Sequence, residues 1–215
     1  MPDTHANKKI ARRRPPRFEL SAGLLCLDFV NTLDDRPSGK PLELLKNYVD
    51  LARFAEDTGV LEATQADQLT EKSYAMPGPA QHALTAAIEL REAMYAIFGA
   101  IVNKKPVPAA ALTTLNQYVQ GAAQHSRLVQ INGHFEWSFE APANRFDAPL
   151  WPIARSAADL LASEQVKNVH ACASKTCQWL FLDTSKNHRR RWCDMKLCGN
   201  RAKSRQFYAR KKKSA

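Results

Sequence analysis

Cys172-Ala-Ser-Lys-Thr-Cys177 and Cys193-Asp-Met-Lys-Leu-Cys198 are two thiol pairs of equal spacing near the end of a 215-residue chain. Each pair can wrap one turn of chain around an ion and supply two sulfurs, and two pairs fill the four positions of a tetrahedral site. The expected cofactor is one structural Zn2+ per chain, with Cys172, Cys177, Cys193 and Cys198 as its ligands. A complete thiolate shell leaves no position for water, so such an ion builds structure and performs no hydrolysis. The fifth cysteine, Cys26, stands alone in an apolar stretch and reads as a small core residue.

Charge is segregated along the chain. From Cys172 to Ala215 thirteen Lys and Arg face two acids, an excess of +11. Between Phe18 and Ala171 twelve bases face eighteen acids, or −6, and residues 1–17 carry six bases against one acid, or +5. An acidic body thus lies between two basic ends, and the C-terminal excess is the footprint of a polyanion-binding module. No apolar run approaches the ~18 residues of a membrane span, so no membrane partner is expected. Asp28 interrupts the apolar segment Leu20–Val30, and residues 1–17 read as a flexible basic arm rather than a signal peptide.

The fold expected is α+β: a mainly helical N-terminal domain over 18–165 with a small β-hairpin, then a small four-cysteine zinc finger over 166–215 that ends in a recognition helix. Leu24 to Leu33 reads as a short helix or a buried strand. Leu42, Leu45, Val49, Ala52 and Ala55 follow helical spacing from Pro41, with Gly59 as a stop. Thr64-x-x-Asp67 reads as a capping box variant, Pro77-Gly78-Pro79 as a chain break, and Ala80 to Asn103 as a long helix. Another helix runs to about Gln124. Leu128–Ile131, Asn132-Gly133 and His134–Phe139 form a hairpin signal, followed by a loop with Pro142 and Pro149 and a helix to about Ser163.

In the finger, Cys198 opens a final helix on which Arg201, Arg205, Tyr208 and Lys212 share one stripe, flanked by Lys203 and Arg210. Such a helix can lie in a major groove about 12 Å wide. Asn200 and Arg201 are the candidates for base edges, because Arg pairs bidentately with guanine and Asn with adenine. Lys186, Arg189, Arg190 and Arg191 are candidates for phosphate contacts. Duplex DNA is the expected partner.

Trp192-Cys-Asp-Met-Lys-Leu-Cys-Gly-Asn-Arg201 resembles the CGNR zinc finger family, whose signature is matched by Cys198, Gly199, Asn200 and Arg201. Cys172-x4-Cys177, Phe181 and Asp183, and Ser185-Lys-Asn fit the earlier half of that finger. Leu27-Asp-Phe-Val-Asn-Thr32 is similar to the opening of the ABATE domain, which precedes this finger in bacterial proteins described as stress-induced transcription regulators. The resemblance covers the chain from about Phe18. It implies a bacterial, cytoplasmic regulator, at the nucleoid when bound to DNA, with a sensing or assembly domain before the finger.

Other readings of these residues stand beside this one. His134-x-Glu136 followed by a cysteine pair has elements of a zinc deaminase, but the pair is spaced by four and a second pair completes the shell. A zinc enzyme is therefore disfavoured. His170 and His188 flank the finger and read as supports or phosphate contacts. Trp179, Trp192, Phe207 and Tyr208 interleave with bases, the pattern of an RNA or single-strand module, although so small a unit needs its tryptophans as core. In the body, Asp28, Asn31, Thr32 and Arg91 stand among apolar residues. They read either as a polar cluster that fixes packing, with Asp28 and Arg91 paired, or as a pocket for a small-molecule effector. A homodimer joined through the body is the economical assembly, because one finger reads few base pairs.

Overall fold

A computed structural model of the chain describes residues 18–139 and 145–213, with the side chains of 206 and 208–213 left outside the description. The basic arm expected at 1–17 and Pro142 of the expected loop lie outside the described residues. The described chain is mainly helical, with three separate two-stranded antiparallel sheets. In order, it runs α1 (Leu25–Val30), β1 (Leu33–Asp34), β2 (Leu42–Glu43), α2 (Tyr48–Asp57), α3 (Ala63–Ala75), α4 (Pro77–Val102) and α5 (Ala109–His125). There follow β3 (Ser126–Ile131), β4 (His134–Phe139), α6 (Leu150–Leu161), β5 (Val169–Ala171), β6 (Leu180–Leu182) and α7 (Asn200–Lys213). No described helix is long and apolar enough to cross a membrane.

The long helix α4 is the axis of the body. Leu84, Ala87, Leu90, Met94, Ile97 and Phe98 recur at three-and-four spacing and are buried. Against them pack α1, α2, α3, α5, α6 and β5. The chain breaks at Met76, between α3 and α4, and Pro77-Gly78-Pro79 forms the first turn of α4, since a proline at the first helical position gives up an N–H that has no partner there. The helix expected from Pro41 begins at Tyr48: the Asn47 side chain accepts from the Asp50 N–H, and Leu42–Glu43 pairs with Leu33–Asp34. The capping box of α3 is Glu62 with Gln65, upstream of the pair expected at Thr64 and Asp67. The hairpin β3–β4 has Ile131 opposite His134, and Asn132 and Gly133 take the positive φ values, 51° and 84°, that its turn requires.

One hydrophobic cluster runs without interruption from Phe18 through α1, α2, α4 and α6 to Leu180, Phe181, Leu182 and all four paired cysteines. The polar residues singled out in the body serve this packing in different ways. Arg91, only 2% exposed, is held by both carboxylate oxygens of Glu43 at 2.7 Å, by Glu92 at 2.9 Å and by the Thr32 hydroxyl at 3.3 Å. It fixes β2 against α4 and does not pair with Asp28, whose Oδ1 instead accepts from the Ala22 N–H at 2.9 Å. Asn31 turns the other way, toward β6, the strand that follows the first cysteine pair. Its amide donates to the Leu180 carbonyl at 2.9 Å and its carbonyl accepts from the Leu180 N–H at 3.0 Å.

Burial raises the Asp28 carboxyl from its ordinary 3.8 to about 6, despite the backbone donors of Ala22 and Ser21 that favour the carboxylate. The folded state therefore binds this proton more tightly than the unfolded chain, so the contribution to stability is complete below 3.8 and is lost as pH rises through about 6. Asp28→Asn keeps an acceptor for Ala22 and removes the charge. Its unfolding temperature is expected to exceed that of the parent protein at neutral pH, by a free energy of at most about 3 kcal/mol, and to converge with it at about pH 4. Paired thermal melts across that range check the sign.

Candidate metal centre

The first cysteine pair sits in the connection of a hairpin. In β5 and β6, Val169 pairs with Leu182, His170 with Phe181 and Ala171 with Leu180, and the Cys172 N–H bonds to the Trp179 carbonyl at 2.8 Å. The chain between turns tightly, with the Cys177 N–H on the Ser174 carbonyl at 3.1 Å and Gln178 at a φ of 57°. These bonds set Cys172 and Cys177 facing each other at the end of two strands that need only three residues each.

Cys193 lies in a bend just before a single π-helical turn, Met195–Gly199, which carries Cys198 and leads directly into α7. Asp194 caps it: Oδ1 accepts from the N–H groups of Lys196 at 2.6 Å and Leu197 at 2.9 Å. The Met195 side chain packs over Gly199, where a Cβ would lie 2.5 Å from Met195 Sδ and would make that flexible side chain move aside.

The two turns bring four buried sulfurs together, all within 4.8 Å of one another. Cys193 Sγ lies 3.7 Å from both Cys177 Sγ and Cys198 Sγ. A tetrahedral ion bound at about 2.3 Å from each sulfur requires edges of about 3.8 Å, so donor type, number and spacing fit a metal of zinc's size. Hydrogen bonds from Cys177 and Cys193 hold the Cys172 thiol well below its ordinary range. The reciprocal bond from Cys172 raises Cys177 and Cys193, and burial raises Cys198. Four thiolates this close repel one another, and a divalent ion is what would stabilise them together.

A buried carboxylate ties the two turns together. Asp183, 1% exposed, accepts from the Ser185 N–H at 2.9 Å and the Arg190 N–H at 2.7 Å, and its backbone carbonyl bonds to His188 Nδ1 at 2.8 Å. Burial would raise its pKa, but these donors hold it below the usual carboxylate value. The loop that carries Lys186 and Arg189 is therefore a closed turn around one acceptor. In the sequence Asp183 stands out only as part of a motif; an acid beside an apolar strand is the signal that it has buried donors to satisfy.

The basic residues divide into two sets. Arg190 is occupied within the finger: Nε donates to the Trp192 carbonyl at 2.8 Å, a terminal nitrogen donates to the Cys193 carbonyl, and the guanidinium lies 4.7 Å from the Phe181 ring centre. It braces the second turn against β6. Lys186, Arg189, Arg191, Asn200, Arg201, Lys203 and Arg205 are exposed. Arg191 lies over the Trp192 ring at 5.4 Å, and Arg205 approaches the Ser174 hydroxyl at 3.4 Å. Tyr208 and Lys212 belong to α7, but their side chains are outside the described residues. Trp179 is buried and donates to Asp34 Oδ1 at 2.7 Å, and Trp192 is partly buried against the core. His134 and Glu136 stand exposed on β4, and His170 packs at 6.0 Å from Phe181; among the described residues the metal-type cluster consists of the four cysteines.

Comparison with known proteins follows the same division. Residues 23–164 match the ABATE family, described as "Putative stress-induced transcription regulator", and residues 168–211 match the CGNR zinc finger. Neither family is one of enzymes. No curated protein matches the chain. With some two thirds of its length covered by the first match, and four clustered cysteines at the place of the second, this chain belongs to the ABATE family of transcription regulators and ends in a CGNR zinc finger.

Proposed function

We propose that the chain regulates transcription by binding duplex DNA through its finger, with one zinc ion held by Cys172, Cys177, Cys193 and Cys198. The observation that carries this reading is the direct run from a buried four-cysteine cluster into an exposed basic helix, with Asn200 and Arg201 in its first turn. The fourteen residues of α7 make a rod of about 21 Å, long enough to follow a major groove. The zinc would be structural, because the four thiols close its coordination shell. Residues 166–215 act as the reader, and residues 18–165 sense or assemble. Assembly as a homodimer is supported by Leu128, Phe135 and Trp137, more than half exposed on the β3–β4 hairpin, since such apolar surface gains by cover. RNA or single-strand binding has less support: Trp179 is buried and bonded to Asp34, so it is not offered for base stacking.

Protein purified without added metal should carry about one zinc per chain, and Cys172→Ser should lose it. Metal-free protein, or a Cys172→Ser variant with full zinc content, would contradict the assignment. Fragments selected from random duplex DNA should share a short motif, with affinity falling about three orders of magnitude between 50 and 200 mM salt if six or more phosphates are neutralised. Arg189→Ala should weaken all sequences alike and lower the salt slope by about one, whereas Arg201→Ala should cost about 1–3 kcal/mol and relax one base position. Arg190→Ala should act differently again, reducing metal retention, because its contacts are to the Trp192 and Cys193 carbonyls. Identical effects of Arg189→Ala and Arg201→Ala on selected and random DNA would remove Arg201 from the reading role.

A further inference from the structure

The body contains a cavity of about 810 Å³ where the end of α3 and the start of α4 meet α5 and the entry to α6. That volume lies in the range of roughly 300–1,000 Å³ typical of small-molecule sites. None of Asp28, Asn31, Thr32 and Arg91 lines it, and those four are occupied with internal bonds. Its floor is apolar and aromatic, formed by Ala83, Phe146, Leu150 and Trp151, all buried. Two cations stand over that floor. Lys72 Nζ is 5.3 Å from the Phe146 ring centre, and the Arg145 guanidinium is 5.5 Å from that of Trp151.

Asp147 accepts two bonds of 3.0 Å from Arg145 and so fixes the guanidinium beside the cavity. Among the lining residues Lys72 and Arg145 carry positive charge and Asp147 negative, so the wall is formally cationic within a body, Phe18 to Ala171, whose own formal charge is −6. Gly121 points to the same place. It lies inside α5, where glycine costs about 1 kcal/mol relative to alanine, and a Cβ built on it would meet nothing within 4 Å. What the glycine leaves open is cavity wall.

We infer that this cavity binds an organic anion, an aromatic or aliphatic body with a carboxylate or similar head, as the small-molecule ligand of the body. The apolar part lies on Phe146, Leu150 and Trp151, and the head meets Arg145 and Lys72. His125 stacks on Trp151 at 4.1 Å and the Tyr48 ring meets Phe146 at 4.9 Å, so a ligand would meet the parts of these rings that their neighbours leave open.

Calorimetric titration of the full zinc-loaded chain with 2-naphthoate and with its neutral analogue 2-naphthamide tests this. No DNA is present, so the result does not depend on the reading of the finger. The carboxylate should bind with a Kd below about 1 mM and about tenfold or more tighter than the amide. Arg145→Gln should abolish that difference, and Arg145→Lys should keep most of it. Gly121→Leu should remove binding of both compounds without lowering the unfolding temperature, because leucine is the better helix former and enters open space. Equal binding of acid and amide, unchanged binding by Gly121→Leu, or no binding of the carboxylate up to about 1 mM would each overturn the assignment.

Discussion

The Asn31 carboxamide bonds both backbone groups of Leu180, 149 residues away, with distances of 2.9 and 3.0 Å. In doing so it takes the place of a neighbouring strand. β6 has β5 on one side only, and its other edge faces the buried interior, where an unpaired N–H or C=O costs about 1–3 kcal/mol. Nearby bonds extend the same junction: Leu182 N–H to the Ala22 carbonyl at 2.8 Å, Asp183 N–H to the Asn168 carbonyl at 2.9 Å and Trp179 Nε1 to Asp34 at 2.7 Å. The strand that follows the first cysteine pair is therefore fixed by the first helix of the body.

This junction changes what a small cysteine-rich unit needs. A segment of this size buries little on its own and ordinarily depends on its metal. Here Leu180, Phe181 and Leu182 are buried in the cluster that also contains α1, α4 and α6, so the first turn has support from the body as well as from the thiol cluster. The second turn lacks such strand pairing. It is joined to the first by Asp183, by Arg190 and by the thiol cluster, and from it α7 leaves toward solvent. A rigid root with an exposed helix is the arrangement in which side chains of the first helical turn are held in fixed register.

What could be read in the sequence was local. The cysteine spacing, the Asn132-Gly133 hairpin and the apolar stripe of α4 are set within a few residues, and each forms as its pattern dictates. Long-range polar pairing was not legible, because nothing beside Arg91 identifies Glu43 as its partner and nothing beside Asn31 identifies Leu180. Asp28 and Arg91 look paired in the sequence because both are charges in apolar stretches, yet each finds a different partner. Within the Arg189-Arg190-Arg191 run, only geometry separates the brace from its exposed neighbours. Pro77 follows the break at Met76 and itself starts the longest helix, since position within the helix decides its effect.

If the body and the strand pair behind the cysteines are one cooperative unit, their backbone amides must become accessible together. Native-state hydrogen exchange of the metal-loaded chain under rising denaturant measures this most directly. The Leu180 and Leu182 amides should merge with those of α1 and α4 into a single opening reaction, and Asn31→Ala should release the Leu180 and Leu182 amides first. Exchange of Leu180 and Leu182 through a separate, lower-energy opening in the parent protein, unchanged by Asn31→Ala, would contradict the account.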